Sequence, residues 1–448
     1  MKSRSPKLLF FLIGLGSVTQ IRIIGSIGIT ETIFFIVAPF VFIQDTAVLR
    51  RDGFMPVISL AIMAMVGCLI SCLVNGSPFP SAIRGFAECY SLFAAIVVYH
   101  RLFRNNLNCY KWTALGYACS EIVNIFAFHK GTDIYFSGGS VADEALIRER
   151  MINGPLFWIK KLGGILALPI KGWYLSTPSW YSVTAPLILS AFTVATTSSG
   201  RSALLVDLLG GIVIFIGGKK LFKMQMIQKH IIMSALGLVF FSFAAKSGYT
   251  YLAENGYLNE EARQKYEDQT KGGKGLISMV VGGRGVVFAS LYACLQRPVW
   301  GYGPWAIDHD GVYADFLRKY GNAEDYEEYE ANYAYRMQMG KPALMPGHSH
   351  IFGFWVSYGI LALPFWLYVY FLIFRHLRRN MAVIPQFYGY FALAIAASLW
   401  HILFSPYGSR LPLLLLIVLM LFADAVRKGR VQLPHEMQWE IMMMQRNG

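Results

Sequence analysis

Residues 347–366 read GHSHIFGFWVSYGILALPFW: two imidazoles, His348 and His350, followed at once by an apolar run that stays uncharged to Phe374. An uncharged apolar run of that length is long enough to cross a bilayer as a helix. The question is why a chain would set histidines at the rim of a membrane span.

The rest of the chain repeats the pattern. Of 448 residues, 55% are hydrophobic and only 15% are charged, and the mean hydropathy is +0.45. A soluble domain carries roughly a quarter charged residues. The sequence therefore predicts an all-α polytopic membrane protein, its apolar runs separated by short polar turns. Spans are expected at 8–22, 26–43, 56–74, 80–99, 111–128, 156–175, 179–197, 203–218, 230–245, 350–374, 385–404 and 411–426. Met1–Lys7 is basic but no small-residue cleavage site follows, so the first span is expected to be retained.

The net charge of +14 is distributed as a membrane protein distributes it, which gives no ground for a nucleic-acid partner. The clusters Lys2/Arg4/Lys7, Arg50/Arg51, Arg101/Arg104/Lys111, Lys219/Lys220/Lys223/Lys229, Arg375/Arg378/Arg379 and Arg427/Lys428/Arg430 all fall on one face of a twelve-span arrangement. The positive-inside rule makes that face, with both termini, cytoplasmic. The sixth span carries Lys160 and Lys161 near its outer end and is required by parity. Four regions follow: spans one to nine over 1–245, an outer loop over 246–349, spans ten to twelve over 350–426, and a cytoplasmic tail over 427–448. A loop of about 100 residues without structure would be unusual, so it is expected to fold into helices. Its segment 284–296 reads as an amphipathic helix along the membrane surface.

The six cysteines show neither a CxxC pair nor a disulfide framework and read as small packing residues. On the outer turns the cations are arginines that abut spans: Arg22, Arg84, Arg201 and Arg410. An arginine fork suits phosphate or carboxylate better than a lysine does. Within spans lie Glu31, Glu88, Glu121 and Asp207; Arg84 and Glu88 are spaced to share a helix face.

Three outer segments carry motifs. TTSSGRSALL (196–205) turns between two spans around Arg201. GGRGVVFASLYACLQRPVWGYGPW (282–305) carries Arg284, Pro298, Gly301 and Gly303; GHSHIFGFWVSYG (347–359) places Gly359 eleven residues after His348. In order and spacing these resemble the bacterial O-antigen ligase and O-antigen polymerase superfamily. Its members show a serine–arginine turn, an arginine leading a helix that ends in P-x-x-G-x-G, and a His-Asn opening a span with a glycine eleven residues on. This chain departs at Ser349, where the family has asparagine, and at Ser199-Gly200-Arg201. The glycine spacing selects His348 over His350.

The resemblance implies an inner-membrane glycosyltransferase with a polyprenyl-diphosphate-linked glycan donor at the periplasmic face. The acceptor would be a growing glycan, for a polymerase of O-antigen or exopolysaccharide repeats, or lipid A–core, for a ligase. Chain-length regulators, export proteins and membrane lipids are the partners it implies. Arg201 and Arg284 would stabilise charge on the diphosphate. His348 would be the general base, its unperturbed pKa lying near neutrality, and one in-line displacement would invert the anomeric centre. Gly301 and Gly303 would either let backbone approach substrate or form a tight turn after Pro298. Tyr302 and Trp305 would stack on sugars or anchor at the interface, and His350 would line the substrate site. The Asp308-His309-Asp310 run invites a divalent ion, yet arginines on a diphosphate need no metal and no fuller ligand set is in view. No cofactor is expected. A transporter or flippase of the same glycan would instead show inverted repeats and mid-membrane polar residues, and neither is evident.

Overall fold

The computed structural model describes residues 6–17, 20–22, 26–116, 119, 210, 251, 285–320, 326–327, 329–330, 344–347, 349–381, 383–404 and 411–446. Helices dominate: α1 (Pro6–Leu15), α2 (Ile29–Asp52), α3 (Met55–Val74), α4 (Phe79–Phe103), α5 (Gly285–Gln296), α6 (Val312–Tyr320), α7 (His350–Tyr358), α8 (Leu363–Arg379), α9 (Tyr388–Phe404), α10 (Leu411–Arg427) and α11 (His435–Arg446). One short antiparallel ribbon pairs β1 (Gln20–Arg22) with β2 (Ser26–Gly28). Among the described residues four helices are long and apolar enough to cross a membrane: α2, α3, α4 and the stretch Ile360–Arg379. The chain is thus a helical membrane protein. The spans expected over 156–175, 179–197 and 230–245, most of that over 111–128 and nearly all of that over 203–218 lie outside the described residues.

Apolar stripes mark the outward faces. On α2, Ile33, Ile36, Phe40 and Ile43 are each more than half exposed, at helical spacing. Leu367, Phe371 and Phe374 do the same on α8. Such faces suit hydrocarbon, where helices associate through close contact and hydrogen bonds rather than by expelling water. Helix α4 is the central one, and Ser91 to His100 are buried without a break. Phe35 and Phe42 of α2 meet Tyr90 and Phe93 of α4 edge to face, and the Tyr90 hydroxyl donates to the Phe35 carbonyl at 2.9 Å.

The two ends of this bundle differ. At one end Asp52, fully buried, accepts from Arg104 at 2.9 Å and lies 3.0 Å from His100 Nε2. Phe54 and the His100 ring both pack on Phe422 of α10, and Arg375 of α8 pairs with Asp424 at 2.7 Å. The basic clusters at 50–51, 101–104, 375–379 and 427–430 therefore gather at one end, as the sequence predicts. The C-terminal stretch is not a loose tail: α11 buries Met437, whose carbonyl accepts from Gln386 Nε2 at 3.1 Å.

Two expected spans form differently. The first, 8–22, is a ten-residue helix ending at Leu15. Gly14, Gly16 and Ser17 are poor helix formers, and Ser17 folds back on the Gly14 carbonyl. Thr30 then holds the helix end, its hydroxyl donating to Ile13 O at 2.7 Å and its amide to Gly16 O at 3.1 Å. The tenth, 350–374, is broken at Gly359 (φ 74°) into α7, a 3-10 turn over Ile360–Ala362, and α8. The break has a partner. In a continuous helix Ile360 N–H would bond Val356 C=O. Here Ile360 N donates to Val299 O at 3.1 Å, while Val356 O accepts from Tyr302 N at 2.7 Å. A loop inserts its backbone into the helix and satisfies both groups, the condition for broken helices inside a membrane protein.

Candidate functional site

The inserting loop is the P-x-x-G-x-G block itself. Helix α5 forms from the 284–296 segment as expected and buries Ala289, Ala293 and Cys294. It ends at Gln296, and residues 298–304 then run against the C-terminus of α7. A Cβ on Gly301 (φ 66°) would lie 2.4 Å from Val356 O and 2.9 Å from Gly359 N; one on Gly359 would lie 2.1 Å from Val299 O. Only glycine fits at either place. Gly303 (φ 90°) sits over Ser77 Oγ, and Pro304 rests on Gly85 of α4. Asn75, at the end of α3, donates to Gly301 O at 3.3 Å. The Trp355 indole donates to Pro298 O at 2.8 Å.

The block thus sits where α3 ends and α4 begins, at the opposite end from the basic clusters. Glu88, in the same end of α4, accepts a hydrogen bond from the Tyr358 hydroxyl of α7. Ser71 of α3 donates to Ser357 O at 2.8 Å. Two segments picked out by their sequence, 298–305 and 347–359, form one structural unit clamped onto α3 and α4.

Past the block the chain stays tightly curled. Trp305 has a positive φ of 56°, a conformation that costs a non-glycine residue about 1–2 kcal/mol, and it is 43% exposed. Met345 N donates to Ala306 O at 2.9 Å, and Ile307 bridges Leu344, so the lead-in to α7 is tied to this curl. Asp308 is fully buried and both its carboxylate oxygens accept from the first turn of α6, Val312 N at 2.8 Å and Tyr313 N at 3.0 Å. Asp310 pairs with Arg297 at 2.9 Å. The Asp308–Asp310 run is therefore occupied in capping and ion pairing. No cluster of three metal-ligating side chains occurs among the described residues.

Of the expected site residues, Gly301 and Gly303 make the junction. Tyr302 is nearly buried, its ring beneath the Arg297 guanidinium at 4.6 Å, and burial pushes its phenol up to about 12. His350 opens α7 but turns inward, 5% exposed, against the Trp366 ring at 5.2 Å. Ser349 caps α7: its hydroxyl accepts from Phe352 N at 3.2 Å and donates to Ile402 O at 2.9 Å. Arg201, Arg284 and His348 lie outside the described residues.

Beside the junction lies a cleft of about 530 Å³ between α5, α6 and the block, lined by Tyr292, Arg297, Tyr302, Asp310, Arg318 and Lys319 among others. Asp315 anchors it, accepting from Tyr292, Arg318 and Lys319. Those donors hold its carboxyl well below the usual carboxylate range, and the same pairing raises the Lys319 ammonium above its ordinary value. Sequence reasoning missed this cleft because its charges come from three segments whose meeting no local pattern announces.

No family model, curated protein or solved structure matches the chain.

Proposed function

We propose that this membrane protein is a glycosyltransferase that polymerises lipid-linked O-antigen or exopolysaccharide repeats at the outer face of the bacterial inner membrane. The observation that carries the reading is the interlock of the two motif segments. The P-x-x-G-x-G block and the glycine eleven residues after His348 are mutually required, Gly301 against Gly359. A spacing that resembles a family's motif thus has a physical reason in this chain. The junction also sits at the end of the bundle away from the basic clusters, and the positive-inside rule makes that end periplasmic. In this reading the chain crosses the membrane about twelve times.

The chemistry assigned is a single displacement. The acceptor hydroxyl attacks the anomeric carbon, its proton passes to His348, and the bond to the diphosphate oxygen breaks. The lipid diphosphate leaves with its negative charge held by Arg201 and Arg284. Preorganised arginines suit growing phosphate charge, and an imidazole that titrates near neutrality suits the proton. In this reading the sequence sets a histidine before a span because the lipid holds the reacting bond at that level.

The test is a gel of surface glycan from the native host with the gene deleted and then restored. Single repeats on the final acceptor, without a ladder, support the polymerase. Loss of all attached repeats, with long polymer on the carrier lipid, identifies a ligase instead. An unchanged ladder contradicts both.

A further inference from the structure

We infer that the cleft between α5 and α6 is a subsite for an acidic saccharide, holding part of the glycan a short distance from the bond that reacts; this rests on the glycosyltransferase reading above. Its volume of about 530 Å³ falls in the range of small-ligand sites. Its lining has three cations, Arg297, Arg318 and Lys319, against two carboxylates, Asp310 and Asp315, which leaves one positive charge in excess.

The ring faces decide what kind of contact is on offer. Arg297 covers Tyr302 at 4.6 Å and Lys319 lies over Tyr292 at 5.4 Å. A cation already covers one face of each ring, so charge dominates what the rings offer a sugar. Hydrogen bonds and charge remain. The Arg297–Asp310 pair is exposed on both sides, 49% and 57%, and such a pair is held weakly because water screens it. An incoming carboxylate can take the Arg297 fork, while Asp310, once released, accepts from sugar hydroxyls. The Asp315 hub is different: three donors converge on one half-buried carboxylate, which orients Arg318 and Lys319 along the cleft.

The position also fits. Tyr292 and Gln296 lie roughly 10–17 Å along α5 from its first residue, at 1.5 Å per residue. Arg284 directly precedes that residue in the chain. A glycan whose reducing end is held near the start of α5 would bring a later sugar ring into the cleft.

The experiment is isothermal titration of the full chain in lipid nanodiscs with α-1,4-trigalacturonate and with neutral α-1,4-galactotriose. The acidic trisaccharide is expected to bind at least about tenfold more tightly at low salt, and the preference should collapse at high salt. Arg297→Gln with Arg318→Gln should abolish the preference, and Arg297→Lys with Arg318→Lys, which keeps the charge, should retain part of it. Equal binding of the two probes, no binding of either, or a preference that survives the glutamine pair overturns the subsite. Binding is read without turnover. A wild type that transfers glycan without this preference sinks the cleft alone, and one that binds trigalacturonate but transfers nothing sinks the glycosyltransferase alone.

Discussion

Val356 and Ile360 stand four apart on what would be a single helix, yet neither bonds the other: Val356 O takes its hydrogen from Tyr302 and Ile360 N gives its own to Val299. The exchange satisfies both of those backbone groups, and it makes the helix break and the loop fold a single event. Gly301 and Gly359 permit it by letting two backbones touch.

Alanine at either glycine should therefore be costly. A positive φ and a Cβ driven into backbone together predict a loss of roughly 2–5 kcal/mol for Gly301→Ala or Gly359→Ala. Gly76 also has a positive φ but meets nothing within 4 Å, so Gly76→Ala should cost only about 1 kcal/mol. Thermal unfolding of the purified variants separates the two effects. Equal losses at Gly76 and Gly359 would mean that the interlock contributes nothing.

At the basic end, Asp52 is buried with His100 and Arg104 as partners. Asp52→Ala strands both and should cost about 3–5 kcal/mol. Asp45 pairs with Arg101, whose side chain is 60% exposed, and Asp45→Ala should cost less than about 1 kcal/mol. Comparable melting temperatures for the two variants would refute the ranking.

The Tyr358–Glu88 hydrogen bond ties α7 to α4 beside the junction. A double-mutant cycle with Tyr358→Phe and Glu88→Gln should give a coupling of about 1–2 kcal/mol. A coupling indistinguishable from zero would show that the bond is incidental.

The pH dependence has a defined sign. Asp315 is held below the ordinary aspartate value of 3.8, so its contribution is complete above that value and fades only as pH falls below it. Lys319 is raised above 10.5, so its contribution is complete below that value and is lost as pH rises beyond it. The cleft network should stay intact between about pH 5 and 9. Glycan transfer should nevertheless fall on acidification, as an imidazole base is lost to protonation. A flat transfer profile from pH 5 to 8 would remove the histidine from the mechanism.

Much of this architecture was legible in the sequence. Helix α3 begins and ends within a residue of its expected bounds because Asp52-Gly53 and Asn75-Gly76 punctuate an unbroken apolar run. The gathering of basic clusters follows from the alternation of spans. The break at Gly359 was not legible, since a glycine within an apolar run is ordinary in membrane helices and its partner loop lies more than fifty residues away. Gly16 misled in the other direction, where a weak helix former combined with a contact from Thr30 ended α1 early. What Asp308 and Asp310 do was not legible either, since their partners, the start of α6 and Arg297, flank the run rather than belong to it.

The central claim is tested most directly with the full chain in lipid vesicles and a polyprenyl-diphosphate-linked repeat as donor and acceptor. Product length is followed for wild type and for His348→Ala at matched, folded protein. Wild type should extend the glycan, and the variant should be slower by about 10²–10⁴. Extension by His348→Ala at the wild-type rate, or no extension by wild type, would contradict the account.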